Sequence, residues 1–266
     1  MHDFACYLGR YREVRDCTVE LNFQRTRFLS PAAIALLDGF RHDARNRDVE
    51  IQLNLDGTRE TLRRYLARIG FLGLELPPET DYAIPLHQFT KLDDGRIGQF
   101  ILSRWLSKSP VSSDAAARGY TASAVGELFV NVFNHARSTI GLVTCGQYFP
   151  KIRTLQLVIV DYGITIPETV RVRFLNRMGY FRAGDALEWA FQSGHSSLAT
   201  SRGLGLAILR KLIEDNDGAM KVHSGSASGS IGRRTAFMTR QDHFRGTLVD
   251  LTIKNVDVPA ASKVVF

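Results

Sequence analysis

Residues 127–136 read ELFVNVFNHA. Leu128, Phe129, Val130, Val132 and Phe133 would fill the core side of any helix, yet Glu127, Asn131 and His135 recur at four-residue intervals, with Asn134 beside them. Helical spacing of this kind stacks the three side chains on one face. A carboxylate, a carboxamide and an imidazole in register form either a solvated stripe or a site. The surrounding run, 115–137, reads as one helix that Gly119 and Gly126 could divide.

Downstream, residues 139–149 and 154–161 read as strands. The second ends in VIVDYGITIP (158–167), where an apolar strand delivers Asp161 at its end and Gly163 follows at a tight turn. A strand-end carboxylate can accept a hydrogen bond from an exocyclic amine such as that of adenine, and a glycine leaves room for the base. Alone, Asp-x-Gly after a strand is more often just a turn. Next comes SRGLGLAILRKLIEDNDG (201–218). Here Gly203 and Gly205 precede a helix over 203–215, so backbone N–H groups at its N-terminus face an incoming anion. It is not a P-loop, because no Lys-Ser/Thr pair follows the glycines. Strands over 219–224, 234–240 and 247–254 complete a sheet, and HSGSASGSIGRR (223–234) reads as a mobile loop.

The order of these motifs carries more than any one of them. Glu-x3-Asn on a helix, a strand ending in Asp-x-Gly, a long segment, GLGL opening a helix and Gly246-Thr247 on a late strand together resemble the GHKL ATPase family over roughly residues 114–255. That family includes the ATP-binding domains of gyrases, mismatch-repair proteins, sensor histidine kinases and anti-sigma-factor serine kinases. The resemblance implies a two-layer α/β sandwich, a mixed sheet with helices on one face. It implies ATP and Mg as cofactors, with Asn131 the magnesium ligand and Glu127 the catalytic base. His135 matches a position reaching toward phosphate. Asp161 would hold the adenine amino group with Gly163 beside the base, and Thr247 would bond the same pocket. Arg202, Gly203, Leu204, Gly205 and Leu206 would wrap the phosphates, and 168–202, with His195, Ser196 and Ser197, would form the ATP lid. Thr165 departs from the pattern, since the family commonly has a second glycine there.

Toward the N-terminus, 18–23 and 49–55 alternate as half-buried strands do. Between them Ser30-Pro31 opens AAIALLDGF, a serine N-cap with proline at the first helical position. Thr58 reads as the cap of a second helix ending at Gly70. The order resembles a small STAS domain, the fold of anti-sigma-factor antagonists, in which a serine placed like Ser30 is phosphorylated. The expected organisation is a STAS-like domain over 1–80, a connecting segment over 81–113 and an ATP-binding domain over 114–266, with Pro77, Pro78 and Pro85 breaking regular structure where the first gives way to the second. Within 81–113, residues 97–105 read as a helix.

Composition limits the function classes. The chain has 266 residues, 44% hydrophobic and 23% charged, with no apolar run long enough for a membrane span and no signal-peptide core at its start. Three cysteines without CxxC spacing suggest neither a disulfide framework nor a zinc site, which fits a cytoplasmic protein. A net charge of +7 favours acidic partners such as nucleotides, nucleic acid or anionic protein surfaces. Arg59, Arg63, Arg64 and Arg68 read as a solvated helix face, and few aromatics interleave with the arginines, so the nucleic-acid signal is weak. The combined reading is an Mg-dependent ATPase whose nucleotide state, ATP or ADP, regulates a protein partner, with room for a homodimer. Its alternatives are a serine/threonine protein kinase of the anti-sigma-factor type and a nucleotide-gated binding module with little turnover.

Overall fold

The computed structural model describes residues 2–73, 82–108, 115–174, 182–192 and 205–254. Its helices and strands follow in chain order as α1 (His2–Gly9), β1 (Cys17–Asn22), α2 (Pro31–Arg45), β2 (Val49–Asn54), α3 (Glu60–Arg68), β3 (Ala83–Phe89) and α4 (Asp94–Gln99). A π-helical stretch, Phe100–Trp105, continues α4. Then come α5 (Ala115–Asn131), β4 (Leu142–Phe149), β5 (Thr154–Asp161), α6 (Ile166–Phe174), α7 (Ala183–Ala190), α8 (Gly205–Asp215), β6 (Ala219–Gly232) and β7 (Ala236–Lys254). None of the described helices is long and apolar enough to cross a membrane.

The class is α/β. A five-stranded sheet in the order β3-β4-β5-β7-β6 forms the centre, and β1 and β2 form a separate parallel pair. Every neighbour in the larger sheet is antiparallel, where a mixed sheet was expected. The reason lies in the connections. Pro150–Ile152 joins β4 to β5, and three residues join β6 to β7, and links this short allow only antiparallel partners.

Helices cover both faces of this sheet rather than one. β5 lies buried along its whole length, as a central strand clad on both sides must be. Leu155, Leu157 and Ile159 face a core shared with Phe100, Trp105, Phe129 and Leu212. Val158 and Val160 face the opposite core with Ile34, Leu36 and Phe40 of α2 and Leu8 of α1. Thus α2 lies between the large sheet and the β1–β2 pair, and it is buried nearly all round, with alanines and Gly39 among its buried residues.

Ser30 caps α2 as expected, its Oγ accepting from the Ala33 N–H at 3.2 Å with Pro31 in the first turn. The start of α3 differs. The Thr58 N–H closes a turn on the Leu55 carbonyl, so Arg59 becomes the N-cap residue and Thr58 Oγ1 caps nothing. The segment expected only to connect, 81–113, supplies the edge strand β3 and the helix α4 to the large sheet and its core. Because residues 2–73 and the large sheet share a core, the outer face of that sheet is not solvent-exposed where α2 crosses it.

One contact across this second core is tight. The Tyr162 hydroxyl donates to the Leu36 carbonyl of α2 at 2.7 Å, and its ring lies over Gly39. A Cβ at Gly39 would come within 2.7 Å of the ring. Gly39→Ala is expected to cost about 1–3 kcal/mol through overpacking, read from the urea midpoint. An unchanged midpoint would mean that the ring has room to move aside.

The Gly/Ser-rich stretch read as a mobile loop is a strand. β6 runs through it, paired with β7 over two segments separated by bulges. Its small residues let α7 lie close. A Cβ at Gly229 would meet the Phe237 ring and Leu187, and one at Gly184 would strike the β7 backbone at Met238 and Thr239. The low side-chain volume that reads as flexibility here serves close packing.

Candidate functional site

Three side chains form a row across the end of the large sheet. Asp161 is the last residue of β5 and stands opposite Thr247 on β7, which in turn stands opposite Ser224 on β6. Directly paired residues of antiparallel strands share a face. The period of two puts this row on the face of Leu157 and Ile159, the one packed by α5 and α8. All three are buried, Asp161 being only 1% exposed.

The turn after Asp161 is held from two sides. The Gly163 N–H donates to Asp161 Oδ1 at 2.9 Å. The Ile164 N–H donates to the Ala136 carbonyl at 2.6 Å. Any side chain at Gly163 would overlap that same carbonyl. Glycine is therefore required here by the approach of the backbone after α5, whatever its relation to a ligand. This approach brings the end of α5 against the end of β5. On the other side Gly246 has φ +144° and sits against the Asp161 carbonyl, which lets β7 deliver Thr247 beside Asp161.

Helix α5 supplies the second group of residues. It runs unbroken through Gly119 and Gly126 and ends in a π turn, Val132–Ala136, after which Arg137 adopts a left-handed φ of +48°. Short π turns inside helices are rare and often mark functional sites. Glu127 and Asn131 are half-buried and Asn134 is exposed. Asn131 Nδ2 is buried and has no hydrogen-bond partner among the described residues. Burial lowers the pKa of His135 from its ordinary 6.5, which favours the uncharged ring.

Thr165, the departure from the family pattern, has a structural role. It precedes α6, and its hydroxyl donates to Glu168 Oε2 at 2.8 Å while its N–H donates to the same oxygen at 3.0 Å. The Glu168 N–H returns a bond to Thr165 Oγ1 at 3.3 Å, completing a capping box. Burial opposes the charged Glu168, but the two Thr165 bonds, with His243 and Arg245 nearby, outweigh it and hold the carboxyl below its ordinary 4.5. A carboxyl whose pKa is lowered by folding stabilises the fold above that value and loses its contribution as the pH falls below it. Glu168→Gln should therefore flatten the acid limb of a Tm-against-pH curve between about pH 3 and 5. A limb of unchanged slope would show that the box adds nothing to stability.

Gly205 is the first residue of α8, and Leu206, half-buried, packs against the core. Arg202, Gly203 and Leu204 lie outside the described residues, as do His195, Ser196 and Ser197. Part of the expected lid belongs to the body of the fold. In α7 the Gly184 N–H donates to Thr239 Oγ1 at 2.9 Å, Leu187 is buried, and Phe191 stacks on Phe237 at 6.1 Å. Of the expected site residues that are described, Asp161, Gly163 and Thr247 stand at the sheet end, Glu127, Asn131 and His135 on α5 and the π turn that ends it, and Gly205 and Leu206 at the start of α8. The Ala136 contact joins the first two. Ser224 is the member that sequence reading passed over, since nothing in a Gly/Ser run singles out one serine before its pairing register is known.

No protein family matches the chain, and no curated protein matches it. The functional reading rests on the residues themselves.

Proposed function

We propose that the chain binds ATP with magnesium between the end of the large sheet and α5, hydrolyses it, and uses the nucleotide state to regulate a protein partner, as a GHKL-type ATP-binding unit joined to a STAS-like N-terminal part. The observation that carries this reading is the meeting of the strand end that holds Asp161 and Thr247 with the backbone after α5, the helix on which Asn131 holds a buried polar atom with no hydrogen-bond partner among the described residues. Buried polar groups are rarely left unpaired, so one at the edge of such a row invites a polar ligand.

Each side chain has work suited to its chemistry. The Asp161 carboxylate, already oriented by the Gly163 N–H, accepts from an exocyclic amine. A carboxamide can turn its oxygen outward, so Asn131 can supply one oxygen to a magnesium ion that takes its remaining ligands from phosphate and water. Magnesium keeps few protein ligands beside water and phosphate oxygens, so the triphosphate would be the source of the other charged ligands. Bound there, the ion would neutralise phosphate charge. Glu127, one turn before Asn131, takes the proton from water as the water oxygen bonds to the γ-phosphorus and the bond to the β-γ bridging oxygen breaks, releasing ADP and phosphate.

Isothermal titration of the full chain with ATP and magnesium tests the reading. Saturable heat that vanishes without magnesium is expected, and no heat at millimolar ATP would overturn it. One observation favours a module with little turnover instead. With α7 packed into the core, less of the 168–202 segment is left to close over a nucleotide.

A further inference from the structure

We infer that the outer edge of β2 pairs with the same edge of a second copy of this chain, strand antiparallel to strand, so that two β1–β2 pairs join into one continuous sheet. This pairing is independent of the nucleotide reading. Among the described residues the β1–β2 sheet has only two strands, which leaves both of its edges open.

The direction of the backbone groups follows from the register. β1 and β2 run parallel without a break, from Cys17 opposite Val49 to Asn22 opposite Asn54. In a parallel strand each residue turns its N–H and C=O to one side, and successive residues alternate sides. The Phe23 N–H donates to the Asn54 carbonyl at 3.0 Å, which fixes the phase. Glu50, Gln52 and Asn54 therefore bond to β1, and Val49, Ile51 and Leu53 turn their N–H and C=O groups outward. Among the described residues no backbone group pairs with these three on that side. On β1 the outward set is Thr18, Glu20 and Asn22.

Side chains decide which edge a second copy takes. With a two-fold axis at Ile51, Ile51 faces its own counterpart and Val49 faces Leu53, each pair exchanging both backbone bonds. Their side chains lie on the face that packs on the second core, where Val49 is buried but Ile51 and Leu53 are only half-buried. On the other, exposed face Glu50 of one copy stands opposite Gln52 of the other, an acid against an amide. The Gln52 amide already donates to Glu50 Oε1 of its own strand at 3.3 Å. The same operation on β1 would set Glu20 directly opposite Glu20, and like charges so placed repel. One edge is self-complementary and the other is guarded. The groove beside β2 is lined by Arg41 and Arg45 of α2 with Asp48, Val49, Glu50 and Ile51, and by no residue of β1. Leu53 of the second copy, arriving opposite Val49, would cover the aliphatic stems of the two arginines.

The test is sedimentation velocity of the full chain over a range of concentrations. A reversible monomer–dimer equilibrium is expected. Gln52→Glu sets like charges opposite each other twice by symmetry and should weaken the dimer by about tenfold. Gln52→Lys sets an opposite charge against Glu50 twice and should tighten it by a similar factor. The position is exposed, so the fold should survive both changes. Glu20 stands opposite Gln52 within each copy, so the dissociation constant is the readout and not the melting temperature. Ile51→Pro removes the outward N–H at the axis and should abolish the dimer, while an edge strand tolerates proline where the N–H faces out. A chain that stays monomeric overturns the inference. A dimer whose dissociation constant ignores these substitutions overturns it too, because its contact then lies on another surface.

Discussion

Glu127→Ala is expected to lower the rate of phosphate release from ATP by about 10²–10⁴-fold, the usual worth of a positioned base, while leaving ATP affinity near that of the wild type. The two effects separate because the proposed partners differ. Glu127 would act on the attacking water, whereas Asp161 and Asn131 would hold the base and the metal. The fold should tolerate the change, since neighbouring Leu128 and Phe129 carry the core contacts of this turn and Glu127 itself is only half-buried. Phosphate release at saturating ATP, with calorimetry for affinity, measures both quantities. Turnover at the wild-type rate would remove Glu127 from the chemistry. Following γ-labelled phosphate adds the second distinction, since label on protein rather than free phosphate would favour the kinase alternative.

Asp161→Asn is expected to weaken ATP binding on the order of 10²-fold, because a charge-assisted hydrogen bond is lost and an amide N–H₂ is turned toward an amine. Stability should be largely kept. The carboxamide oxygen of asparagine can still accept from the Gly163 N–H, the bond that now holds Asp161 Oδ1 at 2.9 Å. Asp161→Ala differs, since it leaves that N–H without an acceptor at a buried strand end and should cost about 1–3 kcal/mol in addition. Calorimetry for binding and urea denaturation for stability separate the two variants. Undiminished ATP affinity in Asp161→Asn, with the fold intact, would overturn the base-pocket assignment.

Much of the local structure was legible before any packing was known. Ser30-Pro31 announces the start of α2 because an N-cap bond and a fixed proline φ are properties of adjacent residues. The strand ending at Asp161 was legible for a similar reason, an unbroken apolar run of strand length closed by a turn. The four-residue spacing of Glu127, Asn131 and His135 was equally plain, although the π turn that ends α5 was not, because nothing local demands the extra residue.

What the tertiary structure decided depends on partners distant in sequence. Residues 223–232 carry too little side-chain volume to declare a strand, and they become one because β7 offers its backbone and α7 fits close against the glycines. Tyr162 follows Asp161 in the chain but points the other way, into α2, as strand alternation requires. Only the placement of residues 2–73 against the outer face of the sheet gives that ring its surroundings. The Ser30 cap, the helical period of α5 and the strand-end carboxylate Asp161 are set by residues within a few positions of each other, so the sequence alone determined them. The row of Asp161, Thr247 and Ser224 spans three strands separated by up to 86 positions of chain (247 less 161), and only the closing of the sheet could bring it together.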